Sequence, residues 1–156
     1  MTAIGHGPAG PEVTALVLPQ PLRRKIETEA RKAGAEECCG LLVGHVAGAR
    51  GVVTASVASP NRAADPRTSF EIDPALLLES QRHLRAAGQV VLGHYHSHPR
   101  GPADPSAADA ERAWVPGHVW LIAAPDRSRE KWTFTAHLAL EEKGRVSLRP
   151  LEILET

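Results

Sequence analysis

Apolar and polar positions along the chain alternate between two periods, and the switches divide it into short strands and a few helices. Val13 to Leu18 is an apolar strand candidate. Pro19-Gln20-Pro21 then opens a helix whose apolar positions Leu22, Ile26, Ala30 and Ala33 keep helical spacing, with Gly34 closing it and Arg23/Glu27 and Glu27/Arg31 paired on the wet side. Leu41 to Val46 and Val52 to Ser59 are β-rich runs joined through residues 47–51 as a hairpin. A polar loop, residues 59–69, is long enough to serve as a flap. Asp73-Pro74 is an N-cap followed by an N1 proline, and predicts a helix from Ala75 to Ala87 that ends at Gly88 and buries Leu76, Leu77, Leu84 and Ala87. Gln89 to Tyr95 reads as a strand buried on both sides at Val90, Val91 and Leu92. Ser106 to Trp114 reads as a short helix, and His118 to Ala124, Lys131 to Leu140 and Arg145 to Ile153 as three more strands. Asp126-Arg127-Ser128 and Glu142-Lys143-Gly144 are the turns between those strands. This mixed order predicts an α/β sandwich around one curved sheet.

Length changes little in this picture: 156 residues make one domain able to bury its own core. Residues 1–12, rich in Gly and Pro, read as a flexible arm, leaving 13–156 as the folded unit. Lys plus Arg equals Asp plus Glu at 18 each, so no net field favours nucleic acid or an anionic membrane, and neither is expected as a partner. No apolar run reaches membrane-spanning length, and Cys38 and Cys39 are adjacent, which offers neither a disulfide framework nor a CxxC zinc site. A soluble, cytoplasmic protein is the expectation, with one or both thiols small buried side chains of a core strand.

The chemistry concentrates in Gly93-His94-Tyr95-His96-Ser97-His98-Pro99, where three of the eight histidines fall within five residues. Residues two apart on a strand share a face, so His96 and His98 can turn both imidazoles to one ion. Asp109, carried back by residues 100–105, would complete two imidazoles and a carboxylate with one tetrahedral position open, the pattern of a catalytic Zn²⁺. Each piece alone has a plainer reading. An HxH pair occurs on ordinary surface strands, and Ser106-x-x-Asp109 is also a helix N-cap with an acid at N3. Their combination, with Glu36-Glu37 ahead of a buried strand, favours the metal.

Taken together these segments resemble the JAMM or MPN+ zinc metallopeptidases. The residues that carry the likeness are His96-Ser97-His98-Pro99, Pro105-Ser106-Ala107-Ala108-Asp109 with ten residues between His98 and Asp109, and Glu37-Cys38-Cys39-Gly40-Leu41-Leu42-Val43-Gly44 as an E-x-C-G-x-L-x-G run. Asn61 and Phe70-Glu71-Ile72-Asp73-Pro74 extend it, so that it covers nearly all of residues 13–153. The resemblance implies a single MPN-type, cytidine-deaminase-like domain with a curved mixed sheet flanked by helices. It implies one Zn²⁺ on His96, His98 and Asp109, Glu37 as general acid/base, and Ser106 as hydrogen-bond donor to the oxyanion. The implied partner is a ubiquitin-like or sulfur-carrier protein, cleaved after its C-terminal Gly-Gly, with an extended glycine tail added as a strand beside the site and the 59–69 loop over it. A homodimer stays open as the working unit.

Glu36 rivals Glu37, but in an extended segment it points to the opposite face. His94 departs from the family, which usually has an apolar or aromatic residue there; it reads as a packed core histidine, with a supporting place beside the ligands as the alternative. Two other functions compete: a non-catalytic MPN scaffold, against which every ligand is present, and a zinc-dependent deaminase, whose HxE and PCxxC signature is missing.

Overall fold

The computed structural model describes residues 7–113 and 115–156. Seven strands and three helices follow in the order β1 (Ala15–Leu18), α1 (Gln20–Ala33), β2 (Cys39–Ala47), β3 (Arg50–Ser59), α2 (Pro74–Arg85), β4 (Val90–Ser97), α3 (Ala107–Arg112), β5 (Val119–Pro125), β6 (Trp132–Glu142) and β7 (Arg145–Glu155). The sheet is mixed, as expected, but it closes into a barrel in the order β1-β3-β2-β4-β5-β6-β7. The open curved sheet of the sandwich reading is therefore corrected. Closure depends on β1, which lies parallel to β3 through Ala15↔Arg50 and parallel to β7 through Ala15↔Glu152, filling the gap between the two.

The helix signals behave as their chemistry dictates at α1, where Pro21 sits in the first turn, Gly34 takes a positive φ of 62° and Ile26 and Ala30 are buried. Glu27 pairs with Arg31 at 3.0 Å, whereas Arg23 pairs with Glu155 of β7 instead of Glu27. At α2 the Asp73 side chain accepts from the Ala75 backbone N–H, so the cap is as expected, but the expected buried face is not. Leu76, Leu77 and Leu84 are half-buried and Ala87 is exposed, because α2 rides on the outside of a closed barrel whose core is already filled. Val90 likewise is 39% exposed at the start of β4, although β4 is otherwise buried along its length.

The main core gathers Leu16, Leu18, Ile26, Leu42, Leu92, Tyr95, Leu121 and Leu138. A second cluster, Cys39, Phe70, Ala113, Trp120 and Ala139, lies apart from it. In β4, Tyr95 turns to the main core and bonds the Glu29 carboxylate of α1, while His94, opposite Trp120, and His96, opposite Ile122, turn the other way. Gly93 permits this strand to approach β5: a Cβ there would stand 1.9 Å from the Val119 carbonyl oxygen. Of the arm expected over residues 1–12, residues 1–6 lie outside the described residues. Residues 7–12 run against the turn before β5, where Gly7 N–H donates to Pro116 O and Ala9, 3% exposed, donates to Gly117 O. Of the helix expected from Ser106, α3 takes 107–112, and Trp114 lies outside the described residues. No described helix is long and apolar enough to cross a membrane.

Candidate active site

The end of β4 delivers His96 and His98, and α3 returns Asp109 to them. His96 Nε2 and His98 Nε2 are 3.1 Å apart; Asp109 Oδ2 lies 3.0 Å from the second and 3.4 Å from the first. Two ring nitrogens and a carboxylate oxygen are thus crowded together as three candidate donors to one cation. A cation with ~2.0–2.1 Å bonds in tetrahedral geometry would place its ligand atoms ~3.3 Å apart, so the donor set fits Zn²⁺ in both chemistry and spacing. His98 Nδ1 contacts Pro102 O at 2.8 Å, which directs Nε2 to the cluster, the usual support for a ligating imidazole. Among the described residues His96 has no such partner at Nδ1; its ring stacks on Phe70, centroid to centroid 4.1 Å and 17° from parallel.

Asp109 is held by α3 itself. Ser106 Oγ accepts from Asp109 N–H at 3.0 Å, and Asp109 Oδ2 accepts from Ser106 N–H at 2.9 Å, a reciprocal capping box at the helix start. The plain reading of Ser106-x-x-Asp109 as a cap and its reading as part of a site are both realised in one piece of backbone. Because Ser106 Oγ is an acceptor in that pair, its own O–H remains free to donate.

Glu37 stands across from the histidines, 7% exposed, with its carboxylate within 4.8 Å of a ring nitrogen of both. Asp109 approaches the rings more closely, and Glu37 makes no hydrogen bond to either among the described residues, which suits Asp109 as the third ligand and Glu37 as a base beside it. Burial pushes the Glu37 carboxyl up to about 7, with Asp109 adding to the rise and His98 and Arg112 opposing it. Burial would also raise Asp109, but the hydrogen bonds from His96 and His98 hold it well below the usual carboxylate range. Burial lowers His96 against the opposing pull of Asp109, while at His98 burial is outweighed by Asp109 and the Pro102 carbonyl, so its pKa rises. Glu36 is exposed, whereas Glu37 is buried.

Several residues that sequence reasoning gave no role hold this arrangement. Asn61, noted only as part of the resemblance, donates to both Glu37 O and Ser69 O at 3.0 Å, and Glu37 N–H donates to Pro66 O at 2.7 Å. Ser97 Oγ accepts from Cys38 N–H at 2.9 Å, so β4 grips the backbone next to Glu37. Arg112 donates to Phe70 O, pinning the ring that stacks on His96. The signal available was the Ser-His pattern for Ser97 and the Phe70 to Pro74 run of the resemblance for Phe70; nothing local marked Arg112. His94 is 9% exposed between Phe70 at 5.0 Å and Trp120 at 4.4 Å, outside the ligand cluster, as a packed histidine. Cys39 is buried and Cys38 half-buried, both as free thiols.

The family described as prokaryotic homologs of the JAB domain matches residues 19–136. A desampylase of Haloferax volcanii is 40% identical over 117 residues, covering 71% of this chain and 83% of that protein. A probable TtuB-protein conjugate cleaving protease of Thermus thermophilus is 32% identical over 109 residues, 70% of each chain. Among solved structures, a Desulfitobacterium hafniense protein superposes with a TM-score of 0.75 at 30% identity, covering 90% of this chain and 92% of that one. A Salinibacter ruber protein gives 0.61 at 26%, covering 88% and 90%.

Proposed function

The chain belongs to the prokaryotic JAB family of JAMM-type peptidases, and from that premise we propose that it is a zinc-dependent hydrolase of ubiquitin-like or sulfur-carrier conjugates. Its cut falls on the peptide or isopeptide bond after the carrier's C-terminal Gly-Gly. The observation that carries this reading is the convergence of His96 Nε2, His98 Nε2 and the Asp109 carboxylate within 3.0 to 3.4 Å, with buried Glu37 beside them. Both curated relatives bear names of enzymes acting on such conjugates. The cytoplasm, where such carriers work, is the proposed compartment.

His96, His98 and Asp109 would hold the ion. Bound there, Zn²⁺ would supply a Lewis acid able to polarise the scissile carbonyl and lower the pKa of a water toward ~7. Glu37 would accept a proton from the attacking water and return it to the departing amine, which leaves poorly without it. Its burial, which disfavours the charged carboxylate, helps it hold the proton between the two halves of the transfer. The Ser106 O–H donates to the oxyanion that develops on the substrate carbonyl.

The test is release of free carrier from a Gly-Gly-linked adduct by zinc-loaded protein, repeated with Glu37→Gln. The substituted protein should keep one zinc per chain and lose about 10²- to 10⁴-fold in turnover, the range for removing a general acid/base. A zinc-loaded wild type that leaves the adduct intact would overturn the reading.

A further inference from the structure

Arg112 stands three residues beyond Asp109 on α3, and its guanidinium donates to the carbonyl of Phe70 in the loop before α2. No ion pair among the described residues draws it elsewhere. The position is exposed, so the residue does not fill a core, and a polar replacement would leave no hole. What it touches leads back to the ligand cluster. Phe70 stacks on His96 at 4.1 Å, His96 Nε2 lies 3.4 Å from Asp109 Oδ2, and Asp109 shares its short helix with Arg112. The contacts form a closed circuit, from His96 to Asp109 to Arg112 to Phe70 and back to His96, with the candidate metal position on one side of it.

The loop that carries Phe70 is tied together around Asn61. The Asn61 side-chain amide donates to Glu37 O and to Ser69 O, and its Oδ1 accepts from Glu71 N–H at 3.1 Å. The residues on either side of Phe70 are therefore bound to the one that holds the Glu37 backbone. Arg62 N–H donates to Glu71 O at 2.9 Å and closes this ladder. In a closed circuit each link lowers the ordering entropy left for the next. An ion joining His96 to Asp109 thus favours the Arg112 bond, and by reciprocity the Arg112 bond favours the ion to the same degree.

We propose that Arg112 is a positioning residue that couples metal binding to the order of the 61–72 loop, by holding Phe70 against His96 from the helix that supplies Asp109. The proposal rests on His96, His98 and Asp109 being the ligands. Filling the cluster then also fixes the loop that supports the Glu37 backbone, so that acid and metal are put in place together. Charge alone has the contrary sign. The field of Arg112 reaches both His96 and Glu37 and lowers the pKa of each. A guanidinium that near repels a divalent cation, so by charge a neutral residue at 112 would tighten zinc, whereas positioning makes the same residue weaken it.

Zinc affinity from chelator competition, together with amide exchange followed by NMR, tests this on the full chain. Arg112→Gln should bind zinc about tenfold more weakly, the low end for an outer support of a ligand, while the metal-free protein melts as wild type does. In a Phe70→Leu background the same substitution should cost less than about twofold, since the ring it acts through is gone. In wild type, zinc should slow exchange at Glu71 N–H and Arg62 N–H by about tenfold, the same factor read from the other side. In Arg112→Gln both amides should exchange fast with or without zinc. Unchanged or tighter zinc binding by Arg112→Gln, an equal loss in the Phe70→Leu background, or wild-type amides indifferent to zinc would overturn the coupling and leave the ligands as assigned. A wild type that binds no zinc, or zinc binding that Asp109→Asn leaves intact, would instead sink the ligand reading, and the coupling with it.

Discussion

Ser106 and Asp109 hold one another by two hydrogen bonds, the hydroxyl oxygen taking the aspartate N–H at 3.0 Å and the carboxylate taking the serine N–H at 2.9 Å. A substitution at 106 therefore acts on the helix start and on the oxyanion at once, and the two effects can be separated by chemistry. Ser106→Ala removes both: about 1 kcal/mol of capping and, in turnover, roughly 10²- to 10³-fold. Ser106→Asp keeps an acceptor for the cap and lacks the O–H at neutral pH. It should melt close to wild type in a thermal scan yet lose turnover like the alanine variant. An aspartate variant that hydrolyses normally would remove Ser106 from the chemistry.

The ligand cluster predicts metal-linked stability. An ion that binds only the folded chain at 100 times its Kd adds ~2.7 kcal/mol. Zinc added to chelator-treated protein should thus raise the melting temperature. Asp109→Asn, which keeps an oxygen at the site but not the charge, should abolish most of that rise and should not be rescued by more than tenfold excess of zinc. An unchanged zinc response would place the ion elsewhere.

Phe70 lies 4.1 Å from His96 in the stack that stands in for the missing Nδ1 partner. Phe70→Leu keeps much of the volume, so its stability cost should stay below ~1.5 kcal/mol. Zinc retention in a chelator competition should nevertheless fall by about 10- to 100-fold, as it does when other supports of a ligating imidazole are removed. A variant that holds zinc as well as wild type would reduce Phe70 to packing.

Burial pushes the Cys38 thiol up to about 11 and the Cys39 thiol to about 12, from an ordinary 9.0. A group whose pKa is raised by folding adds stability that is complete below its unfolded value and lost as pH climbs through its folded one. Denaturant midpoints should accordingly decline between pH ~9 and ~12, and less steeply in Cys39→Ala. At pH 8 the native protein should resist iodoacetamide, and both thiols should label once it is unfolded.

What could be read along the chain was local chemistry with fixed offsets. Pro21 and Gly34 bracket α1, Asp73-Pro74 starts α2, and the ten-residue step from His98 to Asp109 is the length of one loop and one helical turn. What could not be read depends on partners far away in sequence. The pairing of Ala15 with Glu152 closes the barrel, and no pattern within either strand announces it. The apolar stripe of α2 is present as expected, yet its burial depends on space that a filled barrel does not offer. Phe70 belongs to a loop, and both its stack on His96 and the bond that Arg112, 42 residues on, makes to its carbonyl join partners far apart in the chain.

With its strands joined into a hoop, the described sheet has no open border at which a glycine tail could be stitched on as an eighth member. An extended substrate segment would instead meet the loops at the rim, whose backbone is in part engaged already, by the Asn61↔Ile72 bridge, by Glu37 N–H to Pro66 O and by Gly101 N–H to His98 O. Segments 59–72 and 99–105 thus serve two masters: they border the site and also support Glu37, His96 and His98, so an exchange there would disturb the chemistry even while the hoop beneath goes on folding.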